Sequence, residues 1–235
     1  MIVLGIETST PQTSVAFGTE TGVLASLGFA GPARRDAVVP ALEHLLRWSG
    51  LELRQIGGVA VGVGPGLFTG LRVGVETART LAQVLSVPLL GVPSLDALAY
   101  RVRYTDRLIV AVIDARRGEV FYAFYQPVPG GVMRLGAHQV RSPEHLAADL
   151  QATAEDVLLV GNGAILYRQR LEGSGVGTEF ASAAEAYPAA SALVELAVPR
   201  FLREEQDRPA EVVPLYLRRS DAEIAWDQRH RGASA

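Results

Sequence analysis

Gly62-Val63-Gly64-Pro65-Gly66-Leu67-Phe68-Thr69-Gly70-Leu71-Arg72-Val73-Gly74 reads as the end of a strand, a glycine-rich turn and the start of a helix. Upstream, Ile56 to Val63 is a near-continuous apolar run, the pattern of a strand buried on both faces. Downstream, Val75, Ala78, Leu81, Ala82 and Leu85 recur at helical spacing, so Leu71 to Leu85 is predicted helical. The glycine spacing leaves two readings open. The loop Gly64, Pro65, Gly66, Thr69, Gly70 and Arg72 could receive a phosphate or a partner, because glycines allow close approach and a helix start offers free amides. Alternatively, the glycines simply let a helix pack tightly on a sheet.

Working outward, Ile2 to Thr8, Thr13 to Gly18 and Val23 to Phe29 are short β-rich runs parted by turn residues, a three-strand meander. Asp36 to Trp48 is predicted helical, capped by Asp36 and ended by Gly50, with Pro40 tolerable in the first turn. Leu89 to Val92 is a strand, and Ser94 caps a short helix with Leu95, Leu98 and Ala99. After the polar connector Arg101 to Arg107 the order starts again. Strands are expected at Leu108 to Ile113, Val120 to Tyr125 and Val132 to Gly136, then a helix from Ser142-Pro143-Glu144, a buried strand Val157 to Val160, and a helix Ser191 to Arg203 that Pro199 should kink or shorten. Two successive modules of meander, helix, strand and helix give an α/β fold of two ribonuclease-H-like lobes, the topology of the actin-like ATPase, sugar kinase and Hsp70 (ASKHA) group. The expected boundaries are an N-terminal lobe at 1–103, a C-terminal lobe at 104–219 and a flexible tail at 220–235.

All 22 basic residues are arginine, and the 235-residue chain has no cysteine. Without lysine there is no Walker P-loop and no Schiff-base chemistry, and without cysteine no thiolate nucleophile or sulfur-ligated metal. A net charge of −3 argues against a stand-alone RNA binder. No apolar run reaches a membrane span, and the first residues enter a strand pattern without a basic leader, so the chain is read as cytoplasmic.

Several other segments join the glycine stretch in one order: Ile6-Glu7-Thr8-Ser9-Thr10, Val92 to Ala99, Ile113 to Val120, and Pro214-Leu215-Tyr216-Leu217-Arg218. Together they resemble the TsaB family, densely from Ile2 to Tyr125 and thinly from Gln126 to Val212. Leu67 stands where the family usually has serine, and Arg34-Arg35-Asp36 where it commonly has Arg-His-Ser. The resemblance implies a non-catalytic scaffold subunit for threonylcarbamoyladenosine modification of tRNA, pairing with the transferase TsaD and the ATPase TsaE. It would meet tRNA only within that complex. We expect a homodimer when alone, no tightly bound cofactor, and ATP or ADP at most at the interface with partners.

The rival readings are an actin-fold ATP-binding enzyme using Glu7 and the glycine loop, and a glycoprotease-like metallopeptidase. The peptidase reading needs paired histidines one helical turn apart, and His44, His138, His145 and His230 include no such pair. Asp114 and Glu119 flank a turn and could form an acid/base pair or a charged surface turn. His138 and His145 lack a third ligand, and Gly173-Ser174-Gly175 lacks the first glycine of a nucleophile elbow. Finally, the helices carrying Val38, Leu42, Leu45, Val75 and Arg79 have apolar residues for two surfaces, which fits either a bundle with a second copy or TsaD, or ordinary packing within the chain.

Overall fold

The computed structural model describes residues 1–31 and 37–218. Its first half is β1 (Ile2–Glu7), β2 (Gln12–Thr19), β3 (Gly22–Ala30), α1 (Val38–Ser49), β4 (Ile56–Gly64), α2 (Phe68–Leu85), β5 (Leu89–Pro93) and α3 (Ser94–Tyr100). The second half is β6 (Leu108–Arg116), β7 (Glu119–Val128), β8 (Gly131–Arg141), α4 (Pro143–Ala152), β9 (Val157–Val160), α5 (Asn162–Leu166), α6 (Arg168–Leu171), β10 (Thr178–Phe180) and α7 (Ala190–Leu202). The sheets run β3-β2-β1-β4-β5 and β10-β9-β6-β7-β8. Counted within its own half, each sheet therefore places its strands third, second, first, fourth, fifth. In both, the first three strands form an antiparallel meander and the last two join parallel to the first. This is the duplicated two-lobed ASKHA topology that the element order implies.

Five layers follow from which faces are apolar. On one face of the first sheet, Leu4, Ile6, Val15, Val59 and Val61 pack under α1 and α2. The alternate residues Val3, Ala16, Ala60 and Leu90 meet α3 and α7, as the two-residue period of a strand requires. The short α3 serves both lobes: Ala97 and Tyr100 belong to the core under the first sheet, whereas Leu95, Leu98 and Ala99 pack against Ile109, Ala111 and Ile113 of the second. Leu146 and Leu150 of α4 cover the far face, over Val110, Val112 and Tyr122.

Polar contacts reinforce the junction. Asp96 of α3 accepts from Tyr125 Oη at 2.7 Å and from Arg134 Nη1 at 3.1 Å, and its Oδ1 lies 3.2 Å from His138 Nε2. Burial alone would push the Asp96 carboxyl up, but the His138 and Tyr125 hydrogen bonds and the Arg134 charge outweigh it and hold the carboxyl below its ordinary range.

Some sequence expectations are corrected. The helix predicted from Leu71 begins at Phe68, because Thr69 and Gly70 are already helical. Ser94 is the first residue of α3 rather than its cap, and its hydroxyl is used elsewhere. Pro199 lies inside α7, which ends shortly after it at Leu202. Ser142 caps α4 as read, accepting from the His145 amide. The cap assigned to Asp36, the Arg34-Arg35-Asp36 departure, His230 and the tail 220–235 lie outside the described residues.

Candidate functional site

The carboxyl end of β1 is where chemistry would be sought, because open parallel sheets bind ligands beyond the carboxyl ends of their strands. Glu7 sits there and is fully buried. Its Oε1 accepts the Ser9 amide at 2.7 Å and its Oε2 accepts the Ser94 hydroxyl at 2.9 Å. Ser94 Oγ in turn accepts the amide of Gly64 at 3.2 Å. One short relay thus joins the ends of β1 and β4 to the start of α3. Burial pushes the Glu7 carboxyl up, against the hydrogen bonds from Ser9 and Ser94.

The glycine stretch closes over this relay. An added Cβ at Gly62 would lie 2.6 Å from Glu7 Cδ, and one at Gly66 would lie 2.7 Å from Ser9 Cβ. At Gly70 it would overlap the Thr8 carbonyl oxygen, and at Gly74 the Thr8 hydroxyl. Leu67 N donates to Ser9 O at 2.7 Å and the Thr8 hydroxyl to Gly70 O at 2.8 Å. Successive glycines therefore let the Thr8-Ser9 turn lie directly against the loop and α2, which is the close-packing reading of their spacing. Gly64 and Pro65 are buried and joined by a cis peptide bond, whereas Thr69 is exposed.

Arg72 is also exposed and belongs to a surface cluster. Its guanidinium lies 4.1 Å from the Phe68 ring centroid, its Nε donates to Tyr216 Oη at 3.1 Å, and Phe68 stacks on Tyr216 with centroids 4.8 Å apart. Arg79 pairs with Glu76 at 3.0 Å on the outer side of α2.

The helix residues named from sequence lie inward. Val38, Leu42, Leu45 and Val75 are all buried in the chain's own core, because the stripe they form is the one that covers the sheet. The apolar groups these helices leave in solvent are Val39, Val84 and Trp48, the last 79% exposed and in ring contact with His44.

Asp114 and Glu119 are separately engaged. Asp114 Oδ1 accepts the Arg116 amide at 2.9 Å, while Glu119 accepts from Arg218 at 3.0 Å. His138 belongs to the Asp96 junction, and His145 faces the Ser142 cap. Among the described residues no group of three or more His, Asp or Glu is arranged to hold a metal ion. None of their helices is long and apolar enough to cross a membrane. Sequence reasoning missed Ser94 and Tyr216 as parts of this region. The available signal for both was their place inside the motifs Val92 to Ala99 and Pro214 to Arg218.

A family model described as TsaD: tRNA N6-adenosine threonylcarbamoyltransferase matches residues 29–226. The tRNA threonylcarbamoyladenosine biosynthesis protein TsaB of Bacillus subtilis is 32% identical over 232 residues, 96% of this chain and 98% of that one. The chain belongs to the TsaB family. Among solved structures, YeaZ from Pseudomonas aeruginosa superposes with a TM-score of 0.79 at 31% identity, covering 92% of this chain and 99% of that one. A ROK hexokinase from Thermus thermophilus reaches a TM-score of 0.52 at 12% identity over 87% of this chain and 99% of its own, a likeness of fold alone. In this TsaB-family chain the signature glycines and the first-turn motif are thus two sides of one packed contact.

Proposed function

We propose that this chain serves threonylcarbamoyladenosine biosynthesis on tRNA as a non-catalytic subunit that pairs with TsaD and works with TsaE. The observation that carries the non-catalytic part is Glu7. In a nucleotide-hydrolysing enzyme of this fold, an acid at the end of the first strand would need a face open to a metal-bound water or a phosphate. Here both carboxylate oxygens have protein donors, the residue has no exposure, and Gly62 and the loop fill the space before it. The participation in tRNA modification rests on the relatives' names, with near full-length coverage in both directions. A chain with net charge −3 would meet tRNA through a shared surface rather than alone.

The partner face in this reading is the outer side of α1 and α2. Trp48, Val39 and Val84 are exposed there, and a bare tryptophan is the residue type that most often anchors an interface. The same face would join two copies when the partner is absent. Any ATP or ADP would lodge where partners meet, and the working compartment is the cytoplasm. Size-exclusion chromatography with light scattering, on the chain alone and mixed with TsaD of the same organism, tests this. A heterodimer replacing a homodimer is the expected result. A chain that ignores TsaD and turns over ATP alone would overturn it in favour of the actin-fold enzyme.

A further inference from the structure

The contacts of the run Pro214-Leu215-Tyr216-Leu217-Arg218 follow an order along the chain. The chain leaves α7 and reaches β5, where Asp207 N donates to Leu89 O at 2.9 Å and Gly91 N donates to Asp207 Oδ2 at 2.8 Å. Val212 then enters the core under α1 and α2. From there, neighbouring residues address different lobes. Leu215 N donates to Val63 O at 2.7 Å, at the end of β4 and the entrance to the glycine loop. Tyr216 clasps Phe68 and Arg72 on the first turns of α2. Leu217 packs against the cluster that joins α3 to the second sheet. Arg218 pairs with Glu119 at 3.0 Å, on the hairpin between β6 and β7.

We propose that residues 214–218 are a clamp that fixes the angle between the two lobes and ties the glycine loop to the second-lobe hairpin. The inference concerns the chain itself and stands apart from the partners named above. Neighbouring side chains of this segment reach different bodies, Tyr216 the first turns of α2 and Leu217 the cluster under the second sheet, so one short stretch of chain grips both. The grip is cooperative because each contact presupposes the other. If the Tyr216 clasp opens, the backbone bond at Leu215 and the placement of Leu217 lose their anchor, and the hairpin loses the Arg218 pair. The α3 helix with Asp96 also bridges the lobes, so losing the clamp frees the angle without dissolving either core.

The chain has no cysteine, so Arg54→Cys in the first lobe and Leu166→Cys in the second, both exposed, supply the only thiols for a pair of spin labels. The label-to-label distance distribution should be single and narrow in the parent. It should widen about twofold or shift when Tyr216→Ala and Arg218→Ala are added. Hydrogen exchange on the gentler Tyr216→Phe, which keeps the ring and removes only the bond to Arg72, should quicken at residues 116–120 as well as 64–72, by about fivefold for one lost hydrogen bond. An unchanged distance distribution in the folded double variant would overturn the clamp. Exchange that responds at 64–72 but not at 116–120 would do the same, and this second readout holds even if the alanine variant fails to fold.

Discussion

Replacing Gly74 with alanine sets two known effects against each other and shows which governs the contact between α2 and the first turn. Gly74 lies inside the 18-residue helix α2, where alanine in place of glycine ordinarily stabilises by about 1 kcal/mol. The new methyl, however, would overlap the Thr8 hydroxyl, while Thr8 Cβ and Cγ2 at 3.4 and 3.5 Å would be ordinary neighbours. The clash is therefore with one atom. That atom is held by its hydrogen bond to Gly70 O at 2.8 Å, so turning it away forfeits the bond. Overpacking of this kind costs about 1–3 kcal/mol, and adding the lost bond leaves Gly74→Ala destabilised by about 1–2 kcal/mol net. With Thr8→Ala in the background the clash is gone, and the same substitution should stabilise by up to about 1 kcal/mol. The coupling in a double-mutant cycle from urea unfolding should then be about 2–3 kcal/mol. Thr8→Val is the control, because its extra methyl occupies the hydroxyl's place and should give no rescue. If Gly74→Ala is more stable than the parent with Thr8 intact, or if the coupling is within error of zero, the close contact is not what the glycine is for.

Three further outcomes follow from the geometry. Burial raises the Glu7 carboxyl, so the folded state holds its proton more tightly than the unfolded state; stability should fall as pH rises from the ordinary value of 4.5 towards the folded one. Glu7→Gln should flatten that fall in unfolding free energy measured between pH 4 and 8, and an equally steep fall in the variant would place the titration elsewhere. Asp96→Ala strands the donors Tyr125 and Arg134 at the lobe junction and should cost about 2–4 kcal/mol in chemical unfolding, whereas a loss under about 0.5 kcal/mol would mean the junction is held by α3 packing alone. Trp48→Ala should leave monomer stability within about 0.5 kcal/mol, since the ring is exposed, yet weaken self-association or TsaD pairing tenfold or more by light scattering across a dilution series. Unimpaired association would move the partner face off α1.

The sequence made the sheets and their order legible because β1, β4 and β6 are apolar runs and α2 has a clear helical period. It could not give α5, α6 and β10, which have five, four and three residues, fewer than a period needs to establish itself. Serine before an apolar run ordinarily caps a helix, but Ser94 is itself the first helical residue, and its hydroxyl accepts the Gly64 amide while donating to the Glu7 carboxylate. Periodicity also marks a helix as apolar without saying which residues turn outward. Val38, Leu42 and Leu45 cover the sheet while their neighbours Val39 and Trp48 face water, a distinction set by the position of the sheet and not by the helix. The irregular run 214–218 has no period at all, and its partners lie on α2 and on a hairpin about a hundred residues away.

The duplication bears on how the acids at the strand ends should be read. Glu7 ends β1, and Asp114 lies near the end of β6, its counterpart in the second sheet. Glu7 accepts the amide of Ser9, and Asp114 accepts the amide of Arg116, in each case two residues further on. In each lobe a glycine at the end of the fourth strand or just after it approaches the same strand end. Gly62 lies against the Glu7 carboxylate, while Gly163 and the Asn162 side chain lie against the Asp114 amide. The shared feature of both lobes is thus a carboxylate that pins its own outgoing turn, a local use that requires no ligand. What differs is the second oxygen. In the first lobe it accepts from Ser94 of α3; in the second it lies 3.5 Å from the guanidinium of the exposed Arg116. An acid at the end of a central strand is therefore evidence for chemistry only when one of its oxygens is left without a protein donor and open to solvent. In the proposed non-catalytic reading, Glu7 holds its own outgoing turn against β4 and the start of α3.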